Sequence, residues 1–220
     1  MTPHPTPNAP AQDADIRDLR AALPVADPDL DALHARLAHV AESAGDVDIA
    51  IRSVPSPVGD LLLAATETGV VRVAFASEGE EEVLADLATR LSPRILTAPR
   101  RLETPARQLE EYFAGRRHAF DLRLDFGLTR GFRGEVQRAL PSIPYGGTAS
   151  YGQLAARLGH PKAVRAVGTA CATNPLPILL PCHRVLRSDG TLGGYLGGLA
   201  AKETLLGLEG TARRAEVAAQ

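Results

Sequence analysis

The chain contains no tryptophan, a single methionine, and aromatic residues at only 4% of its 220 positions. A core made from it has to be assembled from Leu, Val, Ile and Ala. Cysteine is almost absent too. Cys171 and Cys182 are the whole supply, which excludes a disulfide framework and points to two thiols rather than a bridge. No apolar run approaches the ~18 residues of a membrane span. The N-terminal stretch MTPHPTPNAPAQDAD is Pro-rich and acidic, without the basic start or the apolar run of a secretory signal. A cytoplasmic location is therefore expected. The remainder, 45% hydrophobic and 23% charged residues, is ordinary for a chain that buries a real core.

The second half of the chain is short of acid. From Met1 to Leu128 there are 13 Lys and Arg against 21 Asp and Glu; from Thr129 to Arg214 there are 11 against 4. The overall net charge of −2 hides this division. A basic half suits a surface that meets polyanions, and it equally suits a set of solvated arginines.

The periodicities predict an α+β chain. Residues 1–47 read as a disordered tail followed by a helical hairpin, Ile16–Leu23 and Leu30–Val40, the latter with Leu30, Leu33, Leu37 and Val40 at helical spacing. DIAIRSV, GDLLLAAT and GVVRVAFA, punctuated by SPVG and ETG, predict three strands in an antiparallel meander. EGEEEVLADLATRL predicts an amphipathic helix on that sheet through Val83, Leu84, Leu87 and Leu91. TPARQLEEYFAG predicts a helix with Thr104 as N-cap, Pro105 at its first position and Gly115 as its stop. HAFDLRLDF predicts a further strand. Residues 48–126 thus form a small α/β domain with an antiparallel sheet. Residues 127–212 form an all-α domain, and 213–220 a tail. In the second domain YGQLAARL, the turn GHP and KAVRAVGTACAT make a helix-turn-helix, the last helix stopped by Asn174 and Pro175.

That last helix is built almost entirely of small residues, and only Lys162 and Arg165 reach outward. A thin helix with one long cation suits a narrow groove, where the readable code is degenerate and binding carries little sequence preference. Tight helix packing explains the same small residues. Cys182 has three readings of its own: a buried structural thiol, a metal ligand, or a nucleophile. The metal reading lacks paired ligands, since Cys171 and Cys182 stand eleven apart with no CxxC or HxxxH. The nucleophile reading gains from His183 immediately after it, at the exit of the strand-like run ILL. Adjacent side chains of an extended segment diverge, so a bridging water is the natural link. Glu209, near the end of a helix starting at about Leu199, stands where it orients the imidazole.

The segment Ile143–Gly210, with SYGQLA, RAVG, NPLPIL and PCHRV in order and spacing, resembles the O6-alkylguanine-DNA alkyltransferases almost without gaps. The stretch from about residue 48 is similar to the same family more loosely. The resemblance implies an RNase H-like first domain and a winged-helix-like second one. It implies direct, stoichiometric transfer of an alkyl group from O6-alkylguanine in DNA to Cys182, by a cytoplasmic monomer with no cofactor and no metal. His183 would act as base through a water, with Glu209 holding it and Asn174 as hinge. Arg165 would replace the extruded base and Tyr151 would press the phosphate. The stretch Ala163, Val164, Ala166, Gly168 and Thr169, preceded by Lys162, would lie in the minor groove. Tyr195 would donate to the damaged guanine in a pocket shared with Val185, Pro177 and Leu196. The chain departs from the family's pattern in having Gln137 where Trp is usual and Leu196 where a small polar residue is frequent. Val164 and Thr169 are also bulkier than the usual Ala and Gly.

The chemistry is physically feasible. A thiol of ordinary pKa ~8.5 is a few per cent thiolate at neutral pH, a donor to the leaving base is worth ~10²–10⁴-fold, and nucleotide flipping costs a few kcal/mol. Three rivals are a lesion-binding protein without repair, a Cys–His hydrolase with repeated turnover, and a helix-turn-helix regulator with a structural cysteine.

Overall fold

The structure is a computed structural model that describes residues 30–210. The expected helix Ile16–Leu23 and both tails lie outside the described residues. The chain divides into residues 1–37 and 38–220.

Helix α1 spans Leu30–Ala44. Its inward residues in the larger unit are the small ones, Ala38 and Ala41, while Leu33, Leu37 and Val40 are exposed at 47%, 55% and 64%.

Strands β1 (Ile49–Val54), β2 (Leu61–Ala65) and β3 (Val70–Phe75) form the expected antiparallel meander, with Val54 opposite Leu61 and Leu61 opposite Phe75. Their near-continuous apolar runs are explained by burial on both faces. One face, with Ile49, Ile51, Ala64 and Val71, packs under Val83 and Leu87 of helix α2 (Glu80–Arg90). The other, with Ala50, Leu61, Leu63, Val73 and Phe75, joins the core that contains Cys182.

Two sequence expectations about this sheet need correction. A fourth strand, β4 (Ile95–Thr97), pairs parallel to β1, so the sheet is mixed, in the order β3-β2-β1-β4. Three residues between Pro93 and Pro99 carry no legible period; Arg94 anchors the pairing by gripping Asp48 at 2.9 and 2.6 Å. The segment 118–126 is not a full strand. It contributes one bridge, Leu124 to Val70, and the buried amide of Gln108 occupies the backbone of Asp121 in place of a neighbouring strand. Gly69, at φ 154°, lies so close to the Arg123 carbonyl that a Cβ there collides with it.

Helix α3 (Glu103–Phe113) follows a 3-10 turn, Pro99–Leu102, and has Leu102 rather than Thr104 at its N-cap. The turn's backbone leads into the helix and no side-chain cap is used.

Past residue 127 come α4 (Gly131–Ala139), α5 (Tyr151–Arg157), α6 (Val164–Ala172) and α7 (Gly198–Leu208). Ser150 and Gln153 close a reciprocal capping box on α5, at 3.1 and 2.7 Å. Gly159, at φ 77°, makes the turn between α5 and α6. Helix α6 starts two residues later than the sequence suggests, leaving Lys162 and Ala163 in the turn. This half is not purely helical: Ala149–Ser150 (β5) pairs parallel with Val185–Leu186 (β6), tying the segment after Cys182 to the start of α5.

Candidate active site

The run Ile178–Leu180 is not the strand its composition suggested. It turns, with Ile178 at φ 73°, the one non-glycine residue at positive φ among the described residues. That conformation costs a β-branched residue of the order of 1–3 kcal/mol, and surrounding bonds hold it. Asn174, fully buried, accepts from the Leu176 N–H at 3.0 Å and donates through Nδ2 to the Leu180 carbonyl at 2.8 Å. The same Nδ2 lies 3.2 Å from Cys182 Sγ. Val73 of β3 donates to the Pro175 carbonyl at 2.8 Å, fastening the loop to the sheet.

Cys182 opens a 3-10 turn, Cys182–Arg184, and is 3% exposed. Burial pushes its thiol up to about 11, against the pull of Asn174 and the charge of Lys202. An ordinary thiol is a few per cent thiolate at neutral pH, and this burial moves Cys182 away from that. Proton removal therefore needs a partner. Cys171, on α6, is likewise buried and pushed up, with no base beside it.

His183 is fully buried and directs Nε2 at Glu209 Oε1, 2.9 Å away. Burial lowers its pKa, Glu209 works against that, and Arg184 and Lys202 add to the lowering. Burial would raise the Glu209 carboxyl, but hydrogen bonds from His183 and Arg184 outweigh it and hold it at about 2. A neutral imidazole beside that carboxylate keeps its proton on Nε2, which leaves Nδ1 as the basic atom. Nδ1 is buried and has no hydrogen-bond partner among the described residues.

Glu209 is held by more than the sequence foresaw. Arg184 grips it with Nε and an Nη at 2.9 Å each and spends its other Nη on the Ile143 carbonyl at 2.6 Å. Tyr112 of α3 donates to Oε1 at 2.7 Å and the Gly146 N–H to Oε2 at 3.2 Å. Lys202, fully buried in α7, donates to the Val185 carbonyl at 2.7 Å. Arg184 carried a signal only in standing beside His183, and Lys202, next to Glu203, carried little. Tyr112 carried none, because 97 residues separate it from Glu209.

The Tyr195 hydroxyl is buried with no hydrogen-bond partner among the described residues. Burial foremost, then the neighbouring Cys182, raises its pKa well above the ordinary range, so it stays a donor. Its ring meets Phe75 edge-on at 5.6 Å and His183 at 6.3 Å. Pro177 and Val185 are buried and Leu196 half-buried. The Val185 carbonyl already accepts from Lys202 and keeps a second lone pair. Half-buried Tyr151 opens α5 and lies against Gly193, where any Cβ would strike its hydroxyl.

The outer face of α6 carries Val164, Arg165, Ala166 and Thr169, all exposed, with Gly168 half-buried and Lys162 exposed just ahead. Nothing stands within 4 Å of a Cβ placed on Gly168, so this face is shallow. Gln137 lies beneath the helix and donates to the carbonyls of Ala170 and Thr173 at 2.9 and 3.3 Å. No described group of three or more His, Cys, Asp or Glu is disposed to hold a metal ion, and no described helix is long and apolar enough to cross a membrane.

Comparison with known proteins gives two family matches: residues 131–211 match the "6-O-methylguanine DNA methyltransferase, DNA binding domain" and residues 49–126 its "ribonuclease-like domain". A methylated-DNA--protein-cysteine methyltransferase of Methanosarcina acetivorans is 42% identical over 156 residues, 71% of this chain and 95% of the relative. The crystal structure of the Mycobacterium tuberculosis O6-methylguanine methyltransferase superposes with a TM-score of 0.64 at 37% identity, over 75% of this chain and 94% of that one. The M. tuberculosis OGT in complex with DNA gives 0.63 at 38%, over 74% and 93%.

Proposed function

This chain belongs to the 6-O-methylguanine DNA methyltransferase family, and from that premise we propose that it repairs DNA by taking the alkyl group of O6-alkylguanine onto Cys182. The observation that carries this reading is a buried thiol followed by an imidazole whose Nε2 is committed to Glu209 and whose Nδ1 is free to accept.

In the proposed step the Cys182 proton passes through a water to His183 Nδ1. The thiolate attacks the alkyl carbon in line, an S–C bond forms and the C–O6 bond breaks. The electron pair leaves with guanine, and Tyr195 stabilises that charge by donating to the base. The proton held by His183 finally neutralises the departing guanine. The thioether has no exit, so the protein acts once. Asn174 positions the sulfur and Glu209 the imidazole. The target base has to be unstacked to reach the sulfur. Arg165 fills the gap it leaves, Tyr151 presses the phosphate, and the shallow face of Ala163, Val164, Ala166, Gly168 and Thr169 lies in the minor groove, with Lys162 on the backbone. Residues 48–126 support the loop and 127–212 carry the chemistry. Pro177, Val185 and Leu196 are the side chains assigned to the pocket that receives the base.

Intact-mass measurement after mixing with a duplex containing O6-methylguanine tests this. The expected outcome is a gain of ~14 Da on the peptide holding Cys182, one methyl per molecule, set by the thioether's composition. Cys182→Ser is expected to lose the transfer and keep duplex binding. Repeated turnover, or methyl transfer that persists in Cys182→Ser, overturns the reading.

A further inference from the structure

We propose that Tyr112, on a helix of the sheet-bearing half, is a positioning residue of the transfer relay: its phenol shares the Glu209 oxygen that holds His183 and so sets how hard that carboxylate pulls on the imidazole. This rests on the alkyl-acceptor reading above and adds a residue to it.

Three donors meet on Glu209 Oε1: Tyr112 at 2.7 Å, His183 Nε2 at 2.9 Å and an Arg184 Nη at 2.9 Å. Oε2 takes Arg184 Nε and the Gly146 N–H. A carboxylate has one negative charge to distribute, and each donor on an oxygen weakens its hold on the next. Arg184 is also bound to the Ile143 carbonyl, and Gly146 donates from the backbone. Beside the imidazole itself, Tyr112 is the neutral side-chain donor, and its place is set by packing. It is fully buried, with Phe113 and Phe120 rings at 5.3 Å and the Tyr145 ring at 6.1 Å. Burial and the facing Glu209 keep its hydroxyl protonated throughout the working range.

The other charged or titratable groups around the pair are accounted for. Arg184 lies beside His183, and Lys202, on α7, sends its charge toward His183 and its Nζ to the Val185 carbonyl. Tyr145 donates to the Leu208 carbonyl at 3.2 Å rather than to Glu209. Tyr195 meets the imidazole edge-on. On α3 itself, Glu111 is paired with Arg107 and Arg117.

Removing the phenol returns charge density to His183. The imidazolium is stabilised, so His183 protonates at higher pH and the base is lost sooner as pH falls. Tyr112→Phe keeps the ring. In the full chain, single-turnover methyl transfer from the free base O6-methylguanine is measured between pH 5 and 9, alongside an NMR titration of the His183 imidazole. The acid limb and the imidazole titration are both expected to move up by about 0.5–1 unit, with the rate below the limb falling about 3–10-fold. Phe120→Leu loosens the same packing without removing a donor and is expected to leave both in place.

An unmoved titration in Tyr112→Phe overturns the proposal, whatever happens to the thermal midpoint. So does an equal movement in Phe120→Leu. If the wild-type chain transfers no methyl group, the alkyl-acceptor reading falls and the imidazole titration alone decides the role of Tyr112. If Tyr112→Phe does not fold, the wild-type hydroxyl proton of Tyr112 serves instead: it is expected to shift as His183 titrates, and a stationary resonance overturns the proposal.

Discussion

Glu209 sits where burial opposes a charge, and it is charged because donors surround it. Its carboxyl is therefore a stability determinant, beside the role the proposal gives it. The ordinary value of 4.5 falls to about 2 in the folded protein. A depressed acid contributes stability that is fully present above the unfolded value and is lost as pH falls through the folded one. Denaturation midpoints are thus expected to drop between about pH 4.5 and 2, and Glu209→Gln is expected to flatten that drop. Arg184→Met leaves the carboxylate buried without its cation. Breaking a buried pair from one side costs about 3–5 kcal/mol, a loss that urea titration at pH 7 would register; a loss under 1 kcal/mol would show that the pair is not holding the fold. At this scale the adjacent Cys182 and His183 and the helix-end Glu209 were legible as candidates, and Asn174 entered only through the resemblance. The sequence was silent on Tyr112 and on the burial that pushes the thiol up.

Helix α6 is the element to which the proposal assigns recognition. Its inner residues Val167, Ala170 and Cys171 are buried and its outer residues are exposed, so the small side chains serve packing and a shallow surface together. The packing that composition allowed is present, and the outer residues leave a face open to solvent. Arg165 has no ion pair among the described residues and extends from the N-terminal turn. Arg165→Ala is expected to slow repair in duplex at least tenfold while leaving reaction with the free base unchanged, because only the duplex leaves a vacated stack to fill. Equal slowing on both substrates in rapid-quench assays would remove the finger role. Gln137, a departure from the family's pattern, holds the last carbonyls of the same helix. No local period marks such a contact, just as none marked β4 or the turn at Ile178.

Over the whole molecule the charge is unevenly divided, and the basic half carries the exposed face of α6. Phosphate neutralisation releases counterions, so duplex affinity is expected to fall linearly with the logarithm of salt concentration, and Lys162→Ala is expected to reduce that slope by about 1. Fluorescence anisotropy across a salt series checks it; a slope unchanged by Lys162→Ala would move that residue off the backbone. The sheet supports this arrangement from behind. One face is closed by α2, and the other enters the core that holds the active-site loop, with Phe75 against Tyr195 and Val73 against Pro175.

What the sequence determined by itself was everything carried by neighbours along the chain: the meander, the helix-turn-helix, the adjacency of Cys182 and His183 and the imbalance of charge. Those follow from side-chain period, turn residues and motif spacing, which are local properties. Only the tertiary structure decided the parallel fourth strand, the left-handed turn before the thiol, the raised thiol and the Tyr112–Glu209 bond. Each of these depends on what solvent is excluded and which distant groups are brought within hydrogen-bond reach, and no stretch of contiguous residues records that.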